Sequence, residues 1–176
     1  NSHVFFYNVT NKDFKYDAIV SNLNIESGSI NTSAIWLNNS NHVKVFNNTI
    51  FTYGSNNMPI TLDNGTCDCL VYNNSLRTIV PINETEFISN GQAENSTENN
   101  SWQHSGISFR DSFRNSILDN EIVVENSYGI YLCFGKNYAA DGGLSNHNII
   151  RNNTIRATSL TPTFWSGGVY ITGSYN

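Results

Sequence analysis

Val45-Phe46-Asn47-Asn48-Thr49-Ile50 returns as Val71-Tyr72-Asn73-Asn74-Ser75-Leu76, Ile117-Leu118-Asp119-Asn120-Glu121-Ile122 and Ile150-Arg151-Asn152-Asn153-Thr154-Ile155. The shared skeleton is an apolar residue, two spacers, Asn, one spacer and an apolar residue. A self-similar unit that recurs along a chain marks a repeat architecture, in which each unit buries its apolar face only against its neighbours.

A shorter motif alternates with it: Ile35-Trp36-Leu37, Ile60-Thr61-Leu62, Ile107-Ser108-Phe109, Ile130-Tyr131-Leu132 and Val169-Tyr170-Ile171. Apolar, variable, apolar is the period of a short strand with one buried face. The step between the two motifs is ten residues from Ile35 to Val45, eleven from Ile60 to Val71 and ten from Ile107 to Ile117. That spacing predicts an all-β solenoid of about five to six coils, each 23 to 26 residues long, with every strand pairing in parallel with its equivalent one coil away. Asn48, Asn74, Asn120 and Asn153 then form a ladder at a bend, because Asn tolerates a left-handed backbone and its amide can bond the neighbouring coil. A helical reading fails on the abundance of Asn, Ser, Thr and β-branched residues and on the lack of a sustained 3.6-residue period.

Residues 1–34 read as an irregular opening coil, with strand composition at Val4-Phe5-Phe6-Tyr7 and Ala18-Ile19-Val20 and a further apolar position at Asn24-Ile25. Regular coils occupy 35–171, interrupted by insertions at 83–106, 134–145 and 156–168 that adjoin the short strand. The 176 residues form one domain. Beginning on Asn, without a charged and then apolar leader, the chain reads as a piece of a longer precursor.

Only 13% of residues are charged and the net charge is −5, with nine scattered Lys and Arg, so the basic footprint of a nucleic-acid binder is missing. No apolar run is long enough for a spanning helix. Cys67, Cys69 and Cys133 leave at least one thiol unpaired within the chain, and Cys67-Asp68-Cys69 lacks the second pair of a zinc site. Neither metal nor cofactor is expected. Ten Asn-x-Ser/Thr sequons, at Asn8, Asn31, Asn38, Asn47, Asn64, Asn73, Asn83, Asn95, Asn99 and Asn152, are glycosylation candidates in a composition that also generates such triplets by chance.

On these repeats the chain resembles the right-handed parallel β-helix proteins of the pectate-lyase-like group over about residues 35–171, and within it the Asn-rich adhesin-like and carbohydrate-associated surface proteins. The resemblance implies right-handed coils with three sheets and an extracellular or cell-surface location. It carries no activity with it. The calcium-binding Asp clusters and arginine motifs of pectate lyases, the paired Asp motifs of polygalacturonases and the Asp-Pro-His motif of alginate epimerases are absent.

If the flanks of each short strand point inward, its middle residues form an outer column of Trp36, Thr61, Ser108, Tyr131 and Tyr170. With coils about 4.8 Å apart, Trp36 to Tyr131 spans roughly 14 Å, the length of a few sugar units. Aromatic residues suit sugar rings, though they also stack on one another; Trp102 and Trp165 in the flanking insertions add to the carbohydrate candidates. The next outer column is Asn38, Asp63, Arg110, Cys133 and Thr172. Asp63 beside Arg110, with Asp111 and Arg114 close behind, offers an acid and a guanidinium for acid/base work on a glycan. The same pair is equally an ordinary salt bridge worth less than about 1 kcal/mol. Lys136, Tyr138, Asp141 and His147, followed by Arg151, form a second catalytic candidate group, while His104 reads as a loop histidine. The expected function is a structural or adhesive surface protein binding polysaccharide on the short-strand face. The alternatives are a polysaccharide lyase or glycoside hydrolase in the same groove, and a subunit that self-associates through open coil ends.

Overall fold

The computed structural model describes residues 3–10, 18–28, 32–54, 57–81, 105–133, 145–160 and 166–171. Every regular element among them is a β-strand, and the strands fall into three parallel sheets. Sheet A holds β1 (Val4–Tyr7), β4 (Thr32–Asn38), β7 (Asn57–Asp63), β10 (Ser105–Arg110), β13 (Tyr128–Cys133) and β16 (Gly167–Ile171). Sheet B holds β2 (Ala18–Ser21), β5 (Val43–Phe46), β8 (Leu70–Tyr72), β11 (Ser116–Leu118) and β14 (Ile149–Arg151). Sheet C holds β3 (Asn24–Ser27), β6 (Thr49–Tyr53), β9 (Ser75–Ile79), β12 (Glu121–Glu125) and β15 (Thr154–Thr158). The chain visits A, B and C in fixed rotation and each strand pairs with the one three places on. That order is compatible with a β-helix or solenoid.

The two sequence motifs map onto this rotation directly. The short motif is the sheet A strand, and the Asn motif is the end of a sheet B strand, a bend and the start of a sheet C strand. Pairing puts Val20, Val45, Val71, Ile117 and Ile150 in one column of sheet B, and Ile25, Ile50, Leu76, Ile122 and Ile155 in one column of sheet C. Ile35, Leu37, Ile60, Leu62, Ile107 and Phe109 of sheet A are fully buried and complete the core. Each such side chain contributes about 1.5–3 kcal/mol on leaving water.

The opening coil differs from expectation. Its described strands are in full register, with Val4 beside Ile35, Val20 beside Val45 and Ile25 beside Ile50. The regularity was hidden because the stretch between β1 and β2 is longer than the equivalent stretch in the next three circuits and because Leu23 stands at the ladder position. Extra residues between β15 and β16 begin only after Thr158, and the stretch before β10 ends at 104, so 156–158 and 105–106 belong to strands rather than insertions.

The asparagine ladder is present, with a correction to its mechanism. Asn48, Asn74, Asn120 and Asn153 stack so that each amide bonds the next, at 2.9, 3.0 and 2.9 Å. The left-handed residue is the one before: Asn22, Asn47, Asn73, Asp119 and Asn152 have φ of 58, 55, 52, 55 and 58°. The positive φ turns the chain from sheet B to sheet C, and the following Asn side chain is carried under the bend to meet buried backbone groups.

A second bend, from sheet A to sheet B, uses the same device with other residues. His42, Asp68, Arg114 and His147 have φ near 54° there, at 53, 53, 55 and 54°. Asn115 Oδ1 accepts from the Cys69 peptide N–H at 2.9 Å and Asn148 Oδ1 from that of Asn115 at 2.9 Å. One step earlier, Ser40 Oγ accepts from Val9 N–H, Thr66 Oγ1 from Ser40 N–H and Ser145 Oγ from Ser112 N–H. Buried backbone donors at both bends therefore find side-chain acceptors, as burial demands.

Candidate functional site

The outer column of sheet A is in the expected register, with Trp36 beside Thr61, Thr61 beside Ser108, Ser108 beside Tyr131 and Tyr131 beside Tyr170. Its accessibility is not as expected. Thr61, Ser108 and Tyr131 are 0, 4 and 5% exposed, so the middle of the column is buried and the column is no continuous groove. Tyr131 and Tyr170 stack face to face at 5.2 Å with planes 7° apart, and Tyr128 leans on both. Rings stacked along the column turn their faces to one another, which leaves Tyr131 little accessible surface.

The accessible part of the column lies at its other end. β1 adds Phe5 above Trp36, a member the short motif did not include because the sequence there reads Phe5-Phe6-Tyr7. Phe5 and Tyr7 are 56 and 61% exposed, and the Phe5 ring lies 5.2 Å from that of half-buried Trp36 at 52°. Phe5 and Tyr7 are themselves 6.0 Å apart. Three aromatic side chains thus meet at one exposed corner of sheet A.

Asp63 and Arg110 pair directly, as their adjacent positions suggested. The pair is largely withdrawn from water. Burial pushes the Asp63 carboxyl above its ordinary range, and the charge and hydrogen bond of Arg110 pull it back only in part. Asp111, at φ 50° on the bend after β10, adds a like charge that raises Asp63 further. Asp68 is held the opposite way, its carboxyl lowered chiefly by hydrogen bonds from Arg114 Nε at 2.8 Å and Nη2 at 2.6 Å. Arg114 also lies over the Phe113 ring at 4.6 Å.

Of the second catalytic group, His147 is exposed on the A-to-B bend with Nδ1 3.2 Å from Asn146 Oδ1, and Arg151 ends β14 on sheet B. Lys136, Tyr138 and Asp141, with His104, Trp102, Trp165 and Thr172, lie outside the described residues. Among the described residues no group of three or more His, Cys, Asp or Glu is placed to hold a metal. Cys67 and Cys69 are free, with burial pushing their thiols up to about 11 and about 12, so neither is a nucleophile at neutral pH. The Cys133 side chain lies outside the described residues.

Of the sequon asparagines, Asn8, Asn47, Asn64, Asn73 and Asn152 are exposed and Asn38 is half-buried. They cluster at bends rather than strands, because a left-handed turn both favours Asn and faces solvent. Asn31, Asn83, Asn95 and Asn99 lie outside the described residues.

Sheet B presents a surface that sequence reasoning missed. Its outer columns run Ile19, Lys44, Leu70, Ser116, Ile149 and Ser21, Phe46, Tyr72, Leu118, Arg151. Phe46 and Tyr72 stack at 4.9 Å and 11°, and Ile19 and Ile149 are 53 and 55% exposed. The signal was legible, since the first spacer of the Asn motif is Phe, Tyr or Leu in three of the four quoted repeats. Sheet C instead carries exposed ion pairs, Arg77 to Glu125 at 3.3 Å and Arg156 to Glu121 at 3.6 Å, each worth under about 1 kcal/mol. Comparison of the chain with family models, with curated proteins and with solved structures gives no match.

Proposed function

We propose that the chain is part of an extracellular, adhesive surface protein built as a right-handed parallel β-helix, and that it contacts polysaccharide through the Phe5, Tyr7 and Trp36 corner of sheet A. The hand is supported by the general rule that parallel strands of one sheet are joined by right-handed crossovers, here from β1 to β4 through sheets B and C. Low charge, abundant Asn, Ser and Thr, and sequons at exposed bends support an outer-surface setting with some of those sequons glycosylated.

The observation that carries the binding reading is the exposure of Phe5 and Tyr7 beside Trp36. Exposed aromatic rings on a stiff sheet offer apolar area to sugar C–H faces without ordering a loop, and the Tyr7 hydroxyl adds a polar contact. The test is a polysaccharide array probed with the intact chain and with Phe5→Ala and Trp36→Ala. Loss of either ring should weaken binding about tenfold or more, equivalent to about 1.4 kcal/mol. Binding that is absent in the wild type, or unchanged in both variants, overturns the proposal.

A further inference from the structure

Between β7 and β8 the chain runs Asn64-Gly65-Thr66 through a bend in which two consecutive residues have positive φ, 51° at Asn64 and 84° at Gly65. A Cβ at position 65 would meet only Asn39 Oδ1, at an ordinary 3.5 Å, so the backbone angle and not a lack of room calls for glycine. Of the left-handed asparagines among the described residues, Asn64 alone is followed by glycine. That order of residues is chemically labile. With no Cβ on the following residue, nothing shields its peptide nitrogen from the asparagine side-chain Cγ.

The fold holds that nitrogen back. Gly65 N–H donates to Asp111 O at 2.7 Å in the next circuit, and Asn64 N–H to Arg110 O at 3.0 Å. Behind them Thr66 N–H closes on Asp63 O at 3.2 Å, and the fully buried Thr66 hydroxyl lies 2.9 and 2.7 Å from the carbonyl oxygens of Leu37 and Asp63, to which it donates. An amide nitrogen attacks only after losing its proton. A proton held in a paired peptide reaches solvent base only when the pairing opens, as in hydrogen exchange. Asn64 itself is exposed, with Nδ2 3.3 Å from Asn38 Oδ1. Its amide is open to water, and only the nucleophile is withheld.

We propose that Asn64-Gly65 is a self-modification site held shut by the fold: when the bend between β7 and β8 opens, Asn64 deamidates through a cyclic imide, and the product no longer fits the bend. The Gly65 nitrogen gives its proton to solvent base and bonds to Asn64 Cγ, the Cγ–Nδ2 bond breaks, and Nδ2 leaves as ammonia. Water then adds to one of the two imide carbonyls and opens the ring, leaving an aspartyl or an isoaspartyl residue. Nothing is oxidised or reduced. In the isoaspartyl product the main chain passes through the former side chain and is one methylene longer, so the Gly65 and Thr66 hydrogen bonds cannot both re-form. In either product a carboxylate replaces the amide that donated to Asn38 Oδ1 and adds negative charge to a bend that already carries Asp63 and Asp111. The inference is independent of polysaccharide binding.

The test uses the intact chain, made in a host without N-glycosylation and incubated at mildly alkaline pH either folded or in denaturant. Peptide mass spectrometry reads conversion of Asn64 and its isoaspartyl share. Conversion tenfold or more faster in denaturant than in the folded chain is the expected result. Amide hydrogen exchange at Gly65 gives a second readout. Thr66→Val removes the hydroxyl that ties the bend and should speed Gly65 exchange and Asn64 conversion in the folded chain by the same factor. Equal conversion in the folded and denatured chain, no conversion in denaturant, or a Thr66→Val chain in which exchange and conversion change by different factors overturns the proposal.

Discussion

Asn74 Oδ1 lies 3.0 Å from the peptide nitrogen of Asn48 and 2.9 Å from its Nδ2, so one side-chain oxygen serves two buried donors of the preceding circuit. Asn74 Nδ2 in turn donates to the Val45 and Tyr72 carbonyls and to Asn120 Oδ1. Leucine has a similar volume and none of these groups. Each donor stranded in the core costs about 1–3 kcal/mol. Asn74→Leu should therefore lower stability by about 3 kcal/mol or more, which for a domain of this size corresponds to a Tm lowered by roughly 6–12 °C. Ser75→Ala, one residue on and exposed, should change little. Equal Tm values for the two variants would remove the ladder from the account of stability.

Gly106, Gly129 and Gly168 stand side by side on β10, β13 and β16, and this column gives a second contrast within one register. A methyl at position 129 would meet Gly168 O at 2.6 Å as well as the Ile155 side chain, and a backbone oxygen in a paired strand cannot move aside cheaply. Gly129→Ala should destabilise by the 1–3 kcal/mol or so typical of an overfilled core. Gly168→Ala meets nothing and restricts the unfolded chain, so it should be neutral or stabilising by up to about 1 kcal/mol. Denaturant midpoints of the two variants decide the matter, and the same sign of change in both would contradict the packing described.

How far the sequence speaks depends on which physical constraint a residue answers to. The inward columns and the ladder were legible because burial and the parallel register leave a position almost no choice: Asn48, Asn74, Asn120 and Asn153 recur at a fixed offset from two apolar neighbours. The serine and threonine ladder of Ser40, Thr66, Ser112 and Ser145 was just as regular, each five residues before the apolar residue that opens the Asn motif, but hydroxyl residues are so common in this chain that the period did not stand out. Leu23 shows the converse, since its peptide N–H joins the ladder by bonding Asn48 Oδ1 at 3.1 Å although its side chain is not Asn. Outward positions obey weaker rules. That Trp36 and Tyr131 belong to one column follows from alternation, while the burial of Tyr131 and the exposure of Phe5 depend on what packs over each end of the sheet, which alternation does not report.

The exposed asparagines on the B-to-C bend make a prediction about modification. Asn73 Nδ2 donates to Asn47 Oδ1 at 2.7 Å, so these two sequon side chains touch across adjacent circuits. Strands of neighbouring circuits are only about 4.8 Å apart, too close for two glycans on one row. A chain secreted through a glycosylating pathway should carry a glycan on Asn47 or on Asn73, never both, with Asn152 independent of either. Intact-protein and glycopeptide mass spectrometry reads this directly. A single species glycosylated at both Asn47 and Asn73 would show that the bend does not hold the geometry described.

Asp63 supplies the pH dependence. Its carboxyl is raised above 3.8 by burial despite the guanidinium of Arg110, so the folded chain holds this proton more tightly than the unfolded chain does. Stability from this group therefore increases as pH falls from above the raised folded value towards 3.8, the reverse of an acid stabilised as its anion. Asp63→Asn cannot titrate, so the stability of the wild type relative to that variant should rise as pH falls through this window. Arg110→Met removes the cation that opposes the shift and should move the Asp63 midpoint higher still, as followed by carboxyl carbon NMR. A wild-type midpoint at or below 3.8, or no further rise in Arg110→Met, would mean that the carboxylate is held by its partner more than it is penalised by burial.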